Sequence, residues 1–426
     1  VVLVAGAVAF VTALALYLAN LLGHPLQQIL DLTDLRLYVA AGQVAQHAPA
    51  ALYQWQFEPG MRFTYTPFAA LLFTGAGHLP WAVLAWLMTG ASVLALGLAV
   101  WLTLGALGWQ GRRRLGCAMA VTAAGFWTEP VQRVLHWGQI DLLLMALVVW
   151  DLCQDDQRRW KGTGIGLAAG IKLVPLIFIP YLVITGRIRQ AAVAMATFAV
   201  LAAAGFAALP QASAQWWFGP AFLHVGRAGF AGFLANQSLL AEFTREIGSV
   251  AAATPLWLVT ATVVGVTGLA AAAFWHRSGR PVYGWLTCAL TALLVSPVSW
   301  DHHWVWIVLM LPVLADIAVC ARPAARWAAW AAAAVLTALF GAWPLGWPPP
   351  QRLPWGLIWA APHTQGGPAS QSWHSEYHWH LAASLTGNLY LLAGLACLAV
   401  LVATAPSGGP GRLMWAGVTE RWKPLS

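Results

Sequence analysis

Residues able to do chemistry gather at a few places in an otherwise apolar chain. The first is Asp31-Leu32-Thr33-Asp34-Leu35-Arg36-Leu37-Tyr38. On a helix, a step of three puts Asp31 and Asp34 on one face, and a step of four puts Tyr38 beneath Asp34. A carboxylate there, with Arg36 nearby, has the chemistry of a general base for a hydroxyl. Capping by Asp31 or ion pairing with Arg36 is the structural alternative. The second is His136-Trp137-Gly138-Gln139-Ile140-Asp141, which opens an apolar run. Polar groups at a helix start can hydrogen-bond a sugar, and the helix N-terminus favours an anion. Ordinary capping by Gln139 and Asp141, with Trp137 as an interface anchor, accounts for the same residues. The third is Gly170-Ile171-Lys172-Leu173-Val174-Pro175. An ammonium in apolar surroundings costs about 2.5–3.5 kcal/mol on insertion scales. Lys172 therefore calls for a partner, for which a phosphate is a natural candidate, unless it snorkels to water. The fourth is Ser296-Pro297-Val298-Ser299-Trp300-Asp301-His302-His303-Trp304, whose indole, imidazole and carboxylate groups suit a sugar ring. Adjacent histidines on a helix point to different faces, so His302 and His303 are not expected to share a metal. Asn236-Gln237-Ser238, followed by Arg245, favours a hydroxyl-rich ligand or caps an interfacial helix. His374 and His378 have i, i+4 spacing, but H-E-x-x-H is absent and no metal is expected there.

The elements that must position these groups are membrane helices. Hydrophobic residues make up 60% of the 426 and charged residues only 8%. Mean hydropathy is +0.68. A soluble domain carries about 25% charged residues, so the bilayer is the solvent throughout and residues 1–426 form a single membrane domain. The opening apolar run is expected to be a first span rather than a cleaved signal. The net charge of +8 reflects basic loops that set topology, not nucleic-acid binding. Cys117, Cys153, Cys288, Cys320 and Cys397 form no C-x-x-C, so neither zinc nor a disulfide framework is expected.

Basic loops at 111–114, 158–161, 186–189, 276–280 and 321–326, and a tail at 405–426, are expected to be cytoplasmic. Residues 23–80, 210–249 and 343–380 are expected to be periplasmic loops, with Thr128–Trp137 and Ser296–His303 on the same side. Spans are expected near 1–22, 81–107, 115–128, 138–153, 190–209, 250–275, 281–297, 303–320, 326–343 and 381–404. Residues 163–185 have basic flanks at both ends, so they should leave and re-enter on one side, turning at Gly170 and Pro175. That gives about 12 membrane-spanning or embedded helices, with 67–79 at the outer interface. Asp31, Asp34, Glu58, Glu129, Asp141, Glu242, Glu246, Asp301 and Glu376, and every histidine but His276, then fall toward the outer face.

The order of motifs adds a resemblance. Asp-x-x-x-Tyr after the first span is followed by Phe63-Thr64-Tyr65-Thr66-Pro67-Phe68-Ala69-Ala70. Then come His-x-Gly-Gln, Ile-Lys-x-x-Pro, Asn-Gln-Ser-Leu and Ser-Pro-x-Ser-Trp-x-His-His. From Asp31 to His303 this resembles the bacterial polyprenyl-phosphate-mannose-dependent α-1,2-mannosyltransferases of the GT-C superfamily. The resemblance implies an all-α polytopic GT-C fold in the bacterial plasma membrane, with its site facing the periplasm. It implies a polyprenyl-phosphate mannose donor and a lipid-linked mannoside acceptor among membrane lipids. It also implies no nucleotide sugar, no cofactor, no nucleic-acid partner and no obligatory metal. By the family pattern Asp34 is the base, with Asp31 in support. Lys172, with His302 or His303, is the candidate for the phosphate. Arg36, Gln139, Asn236, Gln237 and Trp300 are candidates for sugar contacts, and Tyr38, Tyr65 and His136 complete the binding residues. Thr66 replaces a frequent proline, and Asp141 stands where asparagine is common. A lipid or glycolipid flippase, or a transferase of another polyprenyl-phosphate sugar, remains as the alternative.

Overall fold

The computed structural model describes residues 2–23, 30–219, 225–320, 323–343, 356–364 and 374–405. The expected tail at 405–426 therefore lies outside the described residues except for Ala405, as do parts of the loops at 23–80, 210–249 and 343–380 and residues 321–322 of the basic loop at 321–326. The chain begins with α1 (Val2–Gly23) and α2 (Thr33–His47), then a small antiparallel pair, β1 (Gln56–Glu58) and β2 (Met61–Arg62). Next come α3 (Pro67–Ala76), α4 (Trp81–Ala106), α5 (Gly111–Phe126), α6 (Glu129–Trp137), α7 (Asp141–Leu152), α8 (Thr163–Ile171), α9 (Phe178–Ile184) and α10 (Ile188–Ala208). The second half holds α11 (Pro210–Trp217), α12 (Leu239–Ile247), α13 (Val250–Arg277), α14 (Pro281–Val295), α15 (Met310–Cys320), α16 (Pro323–Leu339), α17 (Leu381–Gly387) and α18 (Leu389–Ala403).

Among the described residues, α1, α4, α10, α13 and the run Asp301–Cys320 are each long and apolar enough to cross a bilayer. Leu94, Val200 and Val259 stand exposed on these helices, as side chains facing lipid do. Two more spans result if α6–α7, bent by 116°, and α17–α18, bent by 71°, each count as one. The spans expected near 115–128, 281–297 and 326–343 appear as α5, α14 and α16, of 16, 15 and 17 residues. At 1.5 Å per residue these reach roughly 22–26 Å, short of a hydrocarbon core of about 30 Å. The run expected at 138–153 appears as α7, of 12 residues, while the loop expected at Thr128–Trp137 holds α6, which ends where Gly138 takes φ +68° and meets α7 at 116°.

Residues 163–185 form a hairpin. The chain rises through α8, turns at Lys172–Pro175 and returns through a short 3-10 stretch and α9. Both ends sit together: Gln190 Nε2 donates to Asp156 O at 3.1 Å, and Arg189 Nη1 donates to Arg158 O at 3.1 Å. What seats the hairpin is Gly162-x-x-x-Gly166-x-x-x-Gly170, a small residue on every turn of one face. A Cβ on Gly162 would lie 2.2 Å from Gln190 O, one on Gly166 2.5 Å from Ala194 O, and one on Gly170 2.4 Å from Leu201 Cδ1. The contacts advance in the same direction along both helices, so α8 runs parallel to α10.

Gly166→Val should therefore force the two backbones apart. Overpacking of this kind costs about 1–3 kcal/mol, so the variant should melt at a lower temperature in detergent. Gly75→Ala, whose Cβ would meet nothing within 4 Å, is the matched control and should melt no lower.

Candidate active site

The turn before α2 fixes the first functional group. Leu32 takes a left-handed backbone conformation at φ 52°, which is uncommon for a residue with a branched side chain. Its N–H donates to His136 O at 2.8 Å. A Cβ on Gly138 would lie 2.8 Å from Leu35 Cβ, so a glycine is required where α6 ends against α2. This close approach brings Gln139 to Asp34: Gln139 Nε2 donates to Asp34 Oδ2 at 2.6 Å. Gln139 Oε1 in turn accepts from the hydroxyls of Tyr38, at 2.5 Å, and Tyr65, at 3.0 Å. Tyr65 is carried to this point by α3. Thr66 caps that helix by accepting from Ala69 N, and also donates to Gly170 O at the hairpin tip. Thr66, at the position of a frequent proline, thus ties α3 to α8.

Lys172 leaves the end of α8 beneath these residues. Its ammonium donates to Asp141 Oδ1 at 2.7 Å, lies 2.9 Å from His303 Nε2, and sits 5.6 Å from the centre of the Tyr65 ring. Ligand atoms of Asp141, His302 and His303 all lie within 4.8 Å of one another. The two histidines were expected to diverge as they would on an α-helix. Instead the chain leaves extended Trp300 and enters a 3-10 stretch, so both rings reach the cluster, 4.7 Å apart and perpendicular. This donor set could hold a cation, and two of its members, Asp141 and His303, are already engaged by the Lys172 ammonium.

Burial pushes the Asp34 carboxyl up to about 6, with Asp141 adding to the rise, while His302, the Gln139 hydrogen bond and Lys172 act against it. Burial also pushes Tyr38 and Tyr65 well above the ordinary phenol range, so both stay protonated donors. The site thus offers a carboxylate poised near neutrality beside an ammonium, two phenols and two imidazoles. It can take a proton from a hydroxyl at one end and hold an anion at the other.

Asp34, Tyr38, Tyr65, Gln139, Lys172, His302 and His303 come together. The other expected contacts do not join them. Arg36 is exposed and lies over the Trp81 ring at 5.3 Å. His136 supplies its carbonyl to Leu32, and its ring packs edge-on to Trp137. Trp300 packs toward Phe233 and bridges Asn236 through the backbone. Asn236 and Gln237, expected to touch sugar, are fully buried and taken up by backbone groups. Asn236 bonds Ala231 O, Pro297 O and Ser299 N, and Gln237 bonds Leu234 O, Gly387 O and Tyr390 N. Asp31 accepts from Thr33, and the cap position of α2 is Leu32, with no side-chain cap. His374 stacks on Phe230 and His380 caps α17, so that cluster serves packing. Sequence reasoning missed Asp141 as the partner of Lys172. It also missed a buried set, Glu129, Arg133 and Asp301, of which the i, i+4 spacing of Glu129 and Arg133 was the one visible sign.

The model of glycosyltransferase family 87 matches residues 63–297, between Asp34 and the two histidines. The polyprenol-phosphate-mannose-dependent alpha-(1-2)-phosphatidylinositol pentamannoside mannosyltransferase of Mycolicibacterium smegmatis is 34% identical over 345 residues, 78% of this chain and 81% of that one. The protein of the same description from Mycobacterium tuberculosis is 32% identical over 342 residues, 78% of each chain. A polyprenol-phosphate-mannose-dependent alpha-(1-2)-phosphatidylinositol mannoside mannosyltransferase of Mycobacterium tuberculosis is 30% identical over 326 residues, 74% of this chain and 72% of that one. No solved structure matches.

Gln139→Leu removes a donor that favours the Asp34 carboxylate, so Asp34 should titrate above its present value of about 6. The infrared band of its protonated carboxyl, identified by its loss in Asp34→Asn, should persist to higher pH in the variant.

Proposed function

The chain belongs to glycosyltransferase family 87, and from that premise we propose that it moves mannose from polyprenyl-phosphate mannose to the 2-hydroxyl of a lipid-linked mannoside of the phosphatidylinositol mannoside type. The names of its relatives supply the donor and acceptor classes. The observation that carries the reading is the pairing within one polar cluster of a base, Asp34, and a phosphate-binding cation, Lys172.

The donor is a β-linked mannosyl phosphate, and the reaction is a single inverting displacement. Asp34 accepts the proton of the acceptor 2-hydroxyl while that oxygen attacks C1 and the polyprenyl phosphate departs, giving an α-linkage. A carboxyl at about 6 is roughly nine-tenths ionised at pH 7 and remains basic enough to take the proton. Lys172 turns from Asp141 to the phosphate and meets the charge that builds on it. Tyr38, Tyr65 and Gln139 orient the base and face the sugars. The finer topology follows the same logic: a GT-C fold of about 12 spanning or embedded helices, in the bacterial plasma membrane, with the site at the periplasmic face. The placement of the basic loops supports this. Arg189 reaches Arg158 O beside the start of the hairpin and Arg277 reaches Ile184 O at its end, whereas Lys172 and the site lie at its tip.

Asp34→Asn should fold and lose about 10²–10⁴ in transfer rate from polyprenyl-phosphate mannose. In the parent protein kcat/KM should fall as pH drops through about 6, because protonation removes the base. A normal rate in the variant would dismiss Asp34 as the base. Lys172→Ala should raise the KM for donor more than for acceptor, and equal effects would remove it from the phosphate role. Assays with labelled donor also decide against a flippase, which forms no glycosidic bond.

A further inference from the structure

We propose that Asp301 is a positioning residue: it holds His302 so that Nε2 faces the departing phosphate, and leaves His303 to orient Lys172. The inference deepens the reading of this site as a sugar-phosphate transferase and rests on it.

The two imidazoles are neighbours, but their nitrogens do different things. His303 Nε2 lies 2.9 Å from Lys172 Nζ. An ammonium only donates, so this nitrogen accepts. It cannot also give a hydrogen to a phosphate oxygen, which has only lone pairs to offer. His302 is the reverse. Its Nδ1 lies 3.2 Å from Asp301 Oδ1, and an ionised carboxylate only accepts, so the hydrogen sits on Nδ1. Its Nε2 is buried with no partner, in a residue only 7% exposed. A buried polar atom left unpaired costs about 1–3 kcal/mol, so a ligand explains what the protein alone does not. The groups facing this ring are Asp301, His303, Lys172, Asp141 and Asp34. Asp141 Oδ2 is likewise buried without a partner. The vacant bonding capacity therefore lies around the ammonium, where a phosphate and its sugar would sit.

Asp301 has no freedom to swing away. Its Oδ1 also accepts the His302 backbone N–H at 2.8 Å, and its Oδ2 accepts from Arg133 Nε at 3.1 Å. Its own N–H donates to Ala235 O at 2.8 Å. Arg133 lies 3.6 Å from Glu129, which accepts from Trp359 Nε1 and from the Tyr390 hydroxyl. A carboxylate held this way sets both the tautomer and the plane of the ring it bonds.

In the transfer, the C1–O bond to the acceptor forms as the C1–O bond to phosphate breaks. The acceptor proton goes to Asp34, and the bonding pair leaves with the phosphate. A hydrogen on His302 Nε2, taken from solvent as the donor binds, then points at the oxygen that gains charge.

Amide replacements separate the two nitrogens. The Gln amide reaches near the Nε2 position and the Asn amide near Nδ1. With polyprenyl-phosphate mannose as donor, His302→Gln should lose about tenfold or less in kcat/KM and His302→Asn about 10²-fold, with acceptor KM unchanged in both. Asp301→Asn should lower kcat by about 10²-fold in the parent and add little in the His302→Gln background. Additive losses, or Asn serving as well as Gln, would overturn the assignment. The Asn and Gln pair leaves the Asp301–Arg133 ion pair intact, so it decides the matter even where Asp301→Asn does not fold. Absence of mannose transfer by the parent protein would instead sink the reading of the site itself.

Discussion

An ammonium at the tip of an apolar hairpin must be neutralised by its surroundings, and much of the structure can be understood from that need. Lys172 emerges where α8 ends. Its partners come from two separate places in the chain, Asp141 from the start of α7 and His303 from the 3-10 stretch before α15. Meeting it requires α6 and α7 to break at Gly138, and the same break lets Gln139 reach Asp34. One charge in a medium that resists charge thus gathers Lys172, Asp141 and His303 beside Gln139 and Asp34.

Beside the site lies a polar scaffold of another kind. Arg245 is fully buried and donates to the carbonyls of Gly232, Phe233 and Asn236 and to the Asn388 side chain. Asn236 and Gln237 stitch the same loop to α18 and to the chain before Asp301. These side chains replace the regular backbone pairing that irregular segments lack. Through Ser299 and Ala235 they fix where Asp301 begins, and so where His302 points.

Much of this was legible in the residues. The step from Asp34 to Tyr38, the isolated Lys172 and the matched basic flanks of 163–185 pointed to two clustered polar groups and a hairpin, because each breaks the apolar pattern locally. Asn236 and Gln237 show the limit. An amide in a loop reads the same whether it faces a ligand or saturates buried carbonyls, and only the tertiary partners decide. Glu129, Arg133 and Asp301 were hidden for a related reason, since the ion pair joins residues 168 positions apart. Helix ends were harder to place than helices: the span expected at 281–297 stays apolar to its end but stops as α14 at Val295, before Ser296-Pro297.

The glycine seam between α8 and α10 has a geometric consequence. With a contact on every turn, the two backbones mesh like a toothed rack, and the hairpin has no smooth path along its neighbour. A single residue inserted between Gly170 and Lys172 would swing the ammonium by about 100°, off both of its partners. A whole extra turn of about four residues would restore its bearing but carry it roughly 6 Å too far. The length of this short helix thus decides whether the lysine that follows it meets Asp141 and His303.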